Sequence, residues 1–201
     1  MPQFVAITQD ALIERLVERV RVLSGRRVIA IDGADAARPV DLARRVAAAL
    51  RDTGRPADVV SLHDYVRPAS LRVEFGRDDI SYRTAWFDYD ALRREVVDAL
   101  RTEGRWLPAL WDEATDRSAR AAIRPAPADT VLLIAGPMLL DRSLQFDLSV
   151  RLDMSEPALR RRTPTEDHWT IPALLANESP TTPTFFARWD HPDRPALRLT
   201  D

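Results

Sequence analysis

The stretch VIAIDGADAARPVDLARRVAAAL, Val28 to Leu50, decides the fold. Val28-Ile29-Ala30-Ile31 is a short, mostly β-branched run suited to a strand buried on both faces. Asp32 to Pro39 reads as a loop, and a helix follows from about Val40 to Thr53. Gly54-Arg55-Pro56 breaks that helix, and Asp58-Val59-Val60-Ser61-Leu62 is the next strand. Strand, loop, helix, turn and strand form one right-handed βαβ unit, the building block of a parallel sheet. In such sheets ligands sit beyond the carboxyl ends of the strands, and the first strand-to-helix loop is the usual phosphate cradle. The loop from Gly33 to Val40 is therefore the first candidate site.

Upstream, Leu12, Ile13, Leu16, Val17, Val20 and Leu23 recur at helical spacing between Asp10 and Ser24, and Gly25 ends that amphipathic helix. Downstream, His63 to Trp86 reads as a polar, arginine-rich loop. A helix with Asp88 as N-cap spans Tyr89 to Thr102. Trp106 to Trp111 reads as a short strand and Asp112 to Ala128 as irregular. Thr130 to Ala135 is the strongest buried strand of the chain, Leu148 to Asp153 is another, and Ser155 starts a helix running to Arg162. Prolines at 164, 172, 180 and 183 point to loops and short helical turns, with a last strand at Pro195 to Leu199. Strands alternating with helices make this an α/β chain with a parallel sheet of about five strands.

With 201 residues, 45% hydrophobic and 30% charged, the chain fits one globular domain over residues 1–201. A net charge of −2 argues against a nucleic-acid partner, and the longest strongly apolar run, Val131 to Leu140, is too short to span a membrane. The start MPQFVAITQD has no signal-peptide character, so a cytoplasmic location is expected. Having no cysteine, the chain has no disulfide, thiol nucleophile or thiolate metal site. His168 and His191 have no partner at metal-ligand spacing, so no metal site is expected. All 29 residues in the Lys+Arg total are arginine. Lysine chemistry is thereby excluded, and arginine, always protonated, cannot stand in as a base.

The segments VIAIDG and DLARRVAAAL resemble those flanking the P-loop of bacterial uridine kinases and related nucleoside kinases. The resemblance continues through Ser61-Leu62-His63-Asp64-Tyr65-Val66-Arg67-Pro68, similar to that family's substrate loop, and through Trp86-Phe87-Asp88-Tyr89-Asp90 at its next helix start. Trp111-Asp112 with Thr115-Asp116-Arg117 resembles its substrate hairpin, and Val131 to Leu140 and Asp147 to Asp153 resemble its later strands. The match covers about residues 10–162. It implies a P-loop kinase-like three-layer α/β/α sandwich with a small substrate-side insert at about 63–125. It also implies substrate-side roles for Tyr65, Arg67, Trp86, Trp111, Asp112 and Arg117, and lid roles for Arg161 and Arg162. For Trp86 and Trp111 simple packing is the alternative, and for the arginines a solvated helix face.

The loop itself departs from the family pattern. A working P-loop reads G-x-x-x-x-G-K-[ST]: its backbone N–H groups cradle phosphates, Lys reaches the β/γ oxygens and the hydroxyl holds Mg²⁺. Counting from Gly33 through Ala34, Asp35, Ala36 and Ala37, the second glycine is Arg38, the lysine Pro39 and the hydroxyl Val40. Pro39 brings no N–H, and Asp35 puts a negative charge where a triphosphate would lie. The acidic position after the Val131 strand is Ala135. His63 occupies the position of the family's substrate-activating carboxylate, and a one-residue shift lets Asp64 serve as base. Two readings follow. One is a non-catalytic nucleoside- or nucleotide-binding or regulatory protein that needs no cofactor. The other is an active nucleoside or small-metabolite kinase using ATP and Mg²⁺, with Arg38 replacing the lysine. A plain connection starting a helix at Pro39 is the bland alternative for the loop, and a homo-oligomer is left open.

Overall fold

A computed structural model describes residues 3–74, 76–177 and 179–199. In chain order the elements are β1 (Phe4–Ala6), α1 (Gln9–Arg21), β2 (Arg27–Gly33), α2 (Pro39–Asp52), β3 (Ala57–Ser61), α3 (Ala69–Arg72) and α4 (Asp79–Thr84). Then come α5 (Tyr89–Leu92), a π-helical turn Arg93–Asp98 and α6 (Ala99–Glu103), followed by the short strands β4 (Arg105–Trp106), β5 (Trp111–Asp112), β6 (Arg117–Ser118) and β7 (Arg124–Pro125). The chain closes with β8 (Val131–Gly136), β9 (Leu148–Asp153), α7 (Glu156–Arg162), α8 (Ile171–Ala176), β10 (Phe185–Arg188) and β11 (Ala196–Arg198).

The central sheet has seven strands in the order β1-β11-β10-β9-β2-β8-β3. Strands β10, β9, β2, β8 and β3 run parallel, while β11 is antiparallel to β10 and to β1. Alternation along the strands sends neighbouring side chains to opposite faces. Ile29, Ile31, Leu133, Ala135 and Val150 pack with Leu16 of α1, Leu42 and Val46 of α2 and Leu159 of α7. Val28, Val60, Leu132 and Ile134 pack with Leu92, Val96 and Leu100 on the other side. Helices on both faces of a mostly parallel sheet give an α/β/α sandwich, and β2, buried from Val28 to Gly33, carries the candidate loop at its carboxyl end.

Several sequence expectations need correction. The strand read at Trp106 to Trp111 is two short strands with different partners: β4 pairs with β7 and β5 with β6. The stretch from Asp112 to Ala128 is thus not wholly irregular, and the stretch from His63 to Trp86 contains a 3-10 turn (Leu62–Tyr65), α3 and α4. The proline-rich tail contributes β10, the fifth parallel strand. Its strand character comes from the pairing of Phe185–Arg188 with Val150–Asp153, a tertiary effect that the flanking prolines hide.

Candidate functional site

At the end of β2, Gly33 has no room for a side chain: a Cβ there would lie 2.9 Å from the Leu152 Cβ on the adjacent strand. The chain then folds into a 3-10 turn, Asp35–Ala37. The Ala37 N–H donates to the Ala34 carbonyl and the Arg38 N–H to the Asp35 carbonyl, each at 2.8 Å. From behind, the Trp189 Nε1–H donates to the Ala37 carbonyl at 2.9 Å. Arg38 takes the left-handed conformation at φ 58° and ψ 52°. Glycine adopts that conformation freely, while another residue incurs about 1–2 kcal/mol. Its guanidinium is exposed and pairs with Asp41 at 2.6 Å. Pro39 begins α2 at its first turn, which suits its fixed φ, and Val40 lines a cleft beside α2. Two loop amides are therefore used inside the loop and a third does not exist.

Asp35, still largely exposed, reaches across to His63. The His63 Nε2 lies 3.0 and 3.1 Å from the Asp35 carboxylate oxygens, and Nδ1 lies 2.7 Å from Glu113 Oε2. Glu113 Oε1 accepts from Trp86 Nε1 at 3.1 Å and from Arg72 Nη1 at 3.2 Å. Arg72 also reaches Asp116 Oδ1 at 3.5 Å, and that carboxylate accepts from Trp111 Nε1 at 3.1 Å. A continuous ionic chain thus ties the Gly33–Val40 loop to the β5–β6 hairpin. Burial favours the neutral imidazole, but the charge and hydrogen bond of Asp35, then those of Glu113, outweigh it and hold the His63 pKa up at about 10. His63 is therefore an imidazolium at neutral pH and cannot act as a general base. Burial raises the Glu113 carboxyl, but the bond and charge of His63, with Arg72, hold it below its ordinary value.

The sign of the pH dependence follows. A histidine whose pKa is raised on folding contributes stability that is complete below about 6.5, its unfolded value, and is lost as pH rises through about 10. The unfolding free energy of wild type minus that of His63→Asn, measured in denaturant from pH 6 to 10.5, is expected to shrink across that window. A difference that is flat or grows with pH contradicts the ion-pair assignment.

The other candidates divide. Asp64 lines the cleft beside α2 with Val40, Arg44 and Ser61, apart from the cavity that His63 lines; burial raises its carboxyl above the ordinary value. Tyr65 is buried, its hydroxyl donating to the Leu107 carbonyl at 2.6 Å. The Arg67 N–H donates to the Trp86 carbonyl at 2.8 Å, and Val66 and Phe87 form an antiparallel bridge. Asp112 caps the hairpin turn, accepting from the Ala114 and Thr115 amides at 3.0 Å. Arg117 is exposed opposite Asp112. Arg161 is exposed, whereas Arg162 is half-buried and donates to the Trp189 carbonyl at 3.3 Å.

Arg162, Asp35, His63, Trp86 and Glu113 share a cavity of about 440 Å³ with Tyr82 and Trp169. Trp86 and Trp169 lie 4.8 Å apart, Tyr82 meets Trp169 edge-on at 5.3 Å, and the Trp169 Nε1 is buried without a hydrogen-bond partner among the described residues. Glu113, Arg72, Tyr82 and Trp169 were not singled out in the sequence. The signal within reach was the acidic content of the hairpin, DEATD at 112–116, against the lone histidine at the substrate loop. Among the described residues no group of three or more His, Asp or Glu is placed to hold a metal ion, and no helix is long and apolar enough to cross a membrane.

No family model matches the sequence, and no curated protein matches it. Solved structures do match. One is a "possible uridine kinase" from Bacillus stearothermophilus, at 20% identity and a TM-score of 0.64, with 84% of this chain and 95% of that one covered. Another is a "putative fructose transport system kinase" from Silicibacter sp. TM1040, at 23% identity and a TM-score of 0.65, with 87% and 97% covered. At these identities the likeness is one of fold: the chain has the P-loop kinase-like α/β/α architecture.

Proposed function

We propose that this protein is a non-catalytic binding or regulatory protein built on a kinase fold, taking a nucleoside-sized ligand rather than transferring phosphoryl groups from MgATP. The observation that carries the reading is the Asp35–His63–Glu113 chain at the loop where a kinase would hold its phosphates. The residues there do not fit MgATP. Arg38, Pro39 and Val40 replace the glycine, lysine and hydroxyl, Ala135 is an apolar residue buried in β8, and Asp35 presents a carboxylate. Each lost charge-assisted bond removes about 1.5–3 kcal/mol of affinity.

The 440 Å³ cavity, by contrast, lies in the size range of small-molecule sites. The Trp86 and Trp169 rings offer an aromatic wall. Asp35, Glu113 and Asp167 supply carboxylates suited to hydroxyls and adverse to a polyphosphate. Uridine and cytidine are expected to change the tryptophan fluorescence saturably, with Trp169→Leu weakening binding about two- to tenfold, the worth of one aromatic contact. No phosphorylated product should form with MgATP.

A second reading, an active nucleoside or small-metabolite kinase with Arg38 as the phosphate cation and Asp64 as the base, draws on the nearness of Arg38 and Arg161 to Arg162. Burial, followed by the charges of those two residues, lowers the Arg162 pKa. A clear phosphoryl-transfer rate that Asp64→Ala abolishes would establish that reading and overturn the first.

A further inference from the structure

The Trp86–Trp169 cavity carries one carboxylate that is left without a partner. Asp35 and Glu113 spend their oxygens on His63, Arg72 and Trp86. Asp167, half-buried in the wall, has neither a hydrogen bond nor an ion pair to its carboxylate among the described residues. Its backbone is fixed all the same: the Asp167 N–H donates to the Pro164 carbonyl at 2.9 Å, and its carbonyl accepts from Thr170 Oγ1 at 2.8 Å. Two cations share the lining. His63 is held between Asp35 and Glu113. Arg162 donates to the Trp189 carbonyl at 3.3 Å, and the charges of Asp190 and Asp193, which do not line the cavity, act on it. Three carboxylates thus face two cations, and the surplus sits at Asp167.

Beside it stands Tyr82, which is 4% exposed and whose hydroxyl makes no hydrogen bond among the described residues. Unlike the Trp169 Nε1, that oxygen is not closed off. Burial first, then the charges of Asp35, Tyr89, Glu113 and Asp167, hold the hydroxyl well above its ordinary pKa. It therefore stays a neutral phenol among the carboxylates of the cavity. The rings around it suit positive charge, because the face of an indole attracts cations. Trp86 already holds one, the Arg72 guanidinium at 5.0 Å, from outside the cavity lining. Trp169, tilted 50° to Trp86, holds none among the described residues.

We infer that this cavity selects an organic cation, its ammonium group seated on the Asp167 carboxylate and the Tyr82 hydroxyl oxygen, its apolar or aromatic body against Trp169. The inference rests on the reading of the cavity as a small-molecule site and deepens it by naming the charge of the ligand. An ammonium brings donors only, and both open groups can accept. A neutral hydroxyl would meet Asp167 through a bond about half as strong as a charge-assisted one between ions. An anion would face Asp35, Glu113 and Asp167 with only Arg162 to receive it, since His63 is already held by two carboxylates.

2-Phenylethylammonium, 2-phenylethanol and phenylacetate differ in charge and little in shape. Each is titrated into the protein while tryptophan fluorescence is followed. The ammonium is expected to bind saturably and about tenfold more tightly than the alcohol, the ratio between a charge-assisted and a neutral hydrogen bond, with phenylacetate the weakest. Asp167→Asn should bring the ammonium to within about twofold of the alcohol. The melting temperature should not move, because that carboxylate has no partner to lose. Tyr82→Phe, which removes only the hydroxyl, should weaken the ammonium about fivefold. Equal binding of the three, tighter binding of the alcohol or phenylacetate, or an ammonium affinity that survives either substitution overturns the inference. Saturable binding of uridine without binding of the ammonium overturns the inference alone. No saturable change with uridine or with any of the three overturns the reading of the cavity as well.

Discussion

Arg72→Ala is expected to lower the unfolding free energy by about 2–3 kcal/mol, from the lost charge-assisted bond to Glu113 and the lost packing of a buried stem. Arg72 is 6% exposed and bridges two carboxylates, Glu113 and Asp116, while its guanidinium carbon lies 5.0 Å from the Trp86 ring centroid. Without it, Asp116 keeps only the Trp111 Nε1–H and the Ala69 N–H, and Glu113 keeps His63 and Trp86. Three elements then lose a common anchor: α3, the hairpin and the aromatic wall. For a chain of this length the loss corresponds to a melting shift of about 4–12 °C. Arg72→Met, which keeps the stem packing without the charge, should recover only part of it, since the charge-assisted bond to Glu113 is still missing. A change below about 1 kcal/mol for Arg72→Ala in denaturant unfolding would show that the network contributes little.

The second large effect concerns the loop from Gly33 to Val40. Restoring the motif with Arg38→Gly, Pro39→Lys and Val40→Thr together is expected to leave MgATP binding weak while Asp35 remains. That carboxylate is held at the loop by His63, and the 3-10 turn closed by the Ala37 and Arg38 amides turns those donors inward. Adding Asp35→Gly removes the charge and the anchor together. The fourfold variant should then bind MgATP about 10²–10⁴ times more tightly than the threefold one, from two charge-assisted contacts at about 1.5–3 kcal/mol each. Calorimetry on the two variants separates the contributions. Equal affinities would mean that Asp35 is not what closes the site.

The parts of this account legible in the sequence are those set by local chemistry. The β-branched run of β2, the amphipathic spacing of α2 and the Asp88 cap declare themselves within a few residues. The missing lysine and hydroxyl after Gly33 are equally local. What stayed hidden depends on distant partners. Phe185–Arg188 is a strand because β9 offers it an edge, and Phe4–Ala6 because β11 does. His63 stood out by its position, yet its charge state is set by Asp35, 28 residues before it, and Glu113, 50 residues after it. Periodicity carries no record of such pairs. Trp169 lay in a stretch read as loops and turns, and only the fold brings it 4.8 Å from Trp86. Asp64, the more conventional candidate base, differs from His63 by one residue and by the cleft it faces.

Calorimetric titration of the wild-type protein with ATP, with and without Mg²⁺, tests the central claim most directly. The ionic occupation of the loop predicts no saturable heat up to millimolar nucleotide in either condition. Micromolar, Mg²⁺-dependent binding would contradict it, for then Arg38 and the α2 amino terminus would hold a triphosphate despite Asp35, and the protein would have to be treated as a kinase.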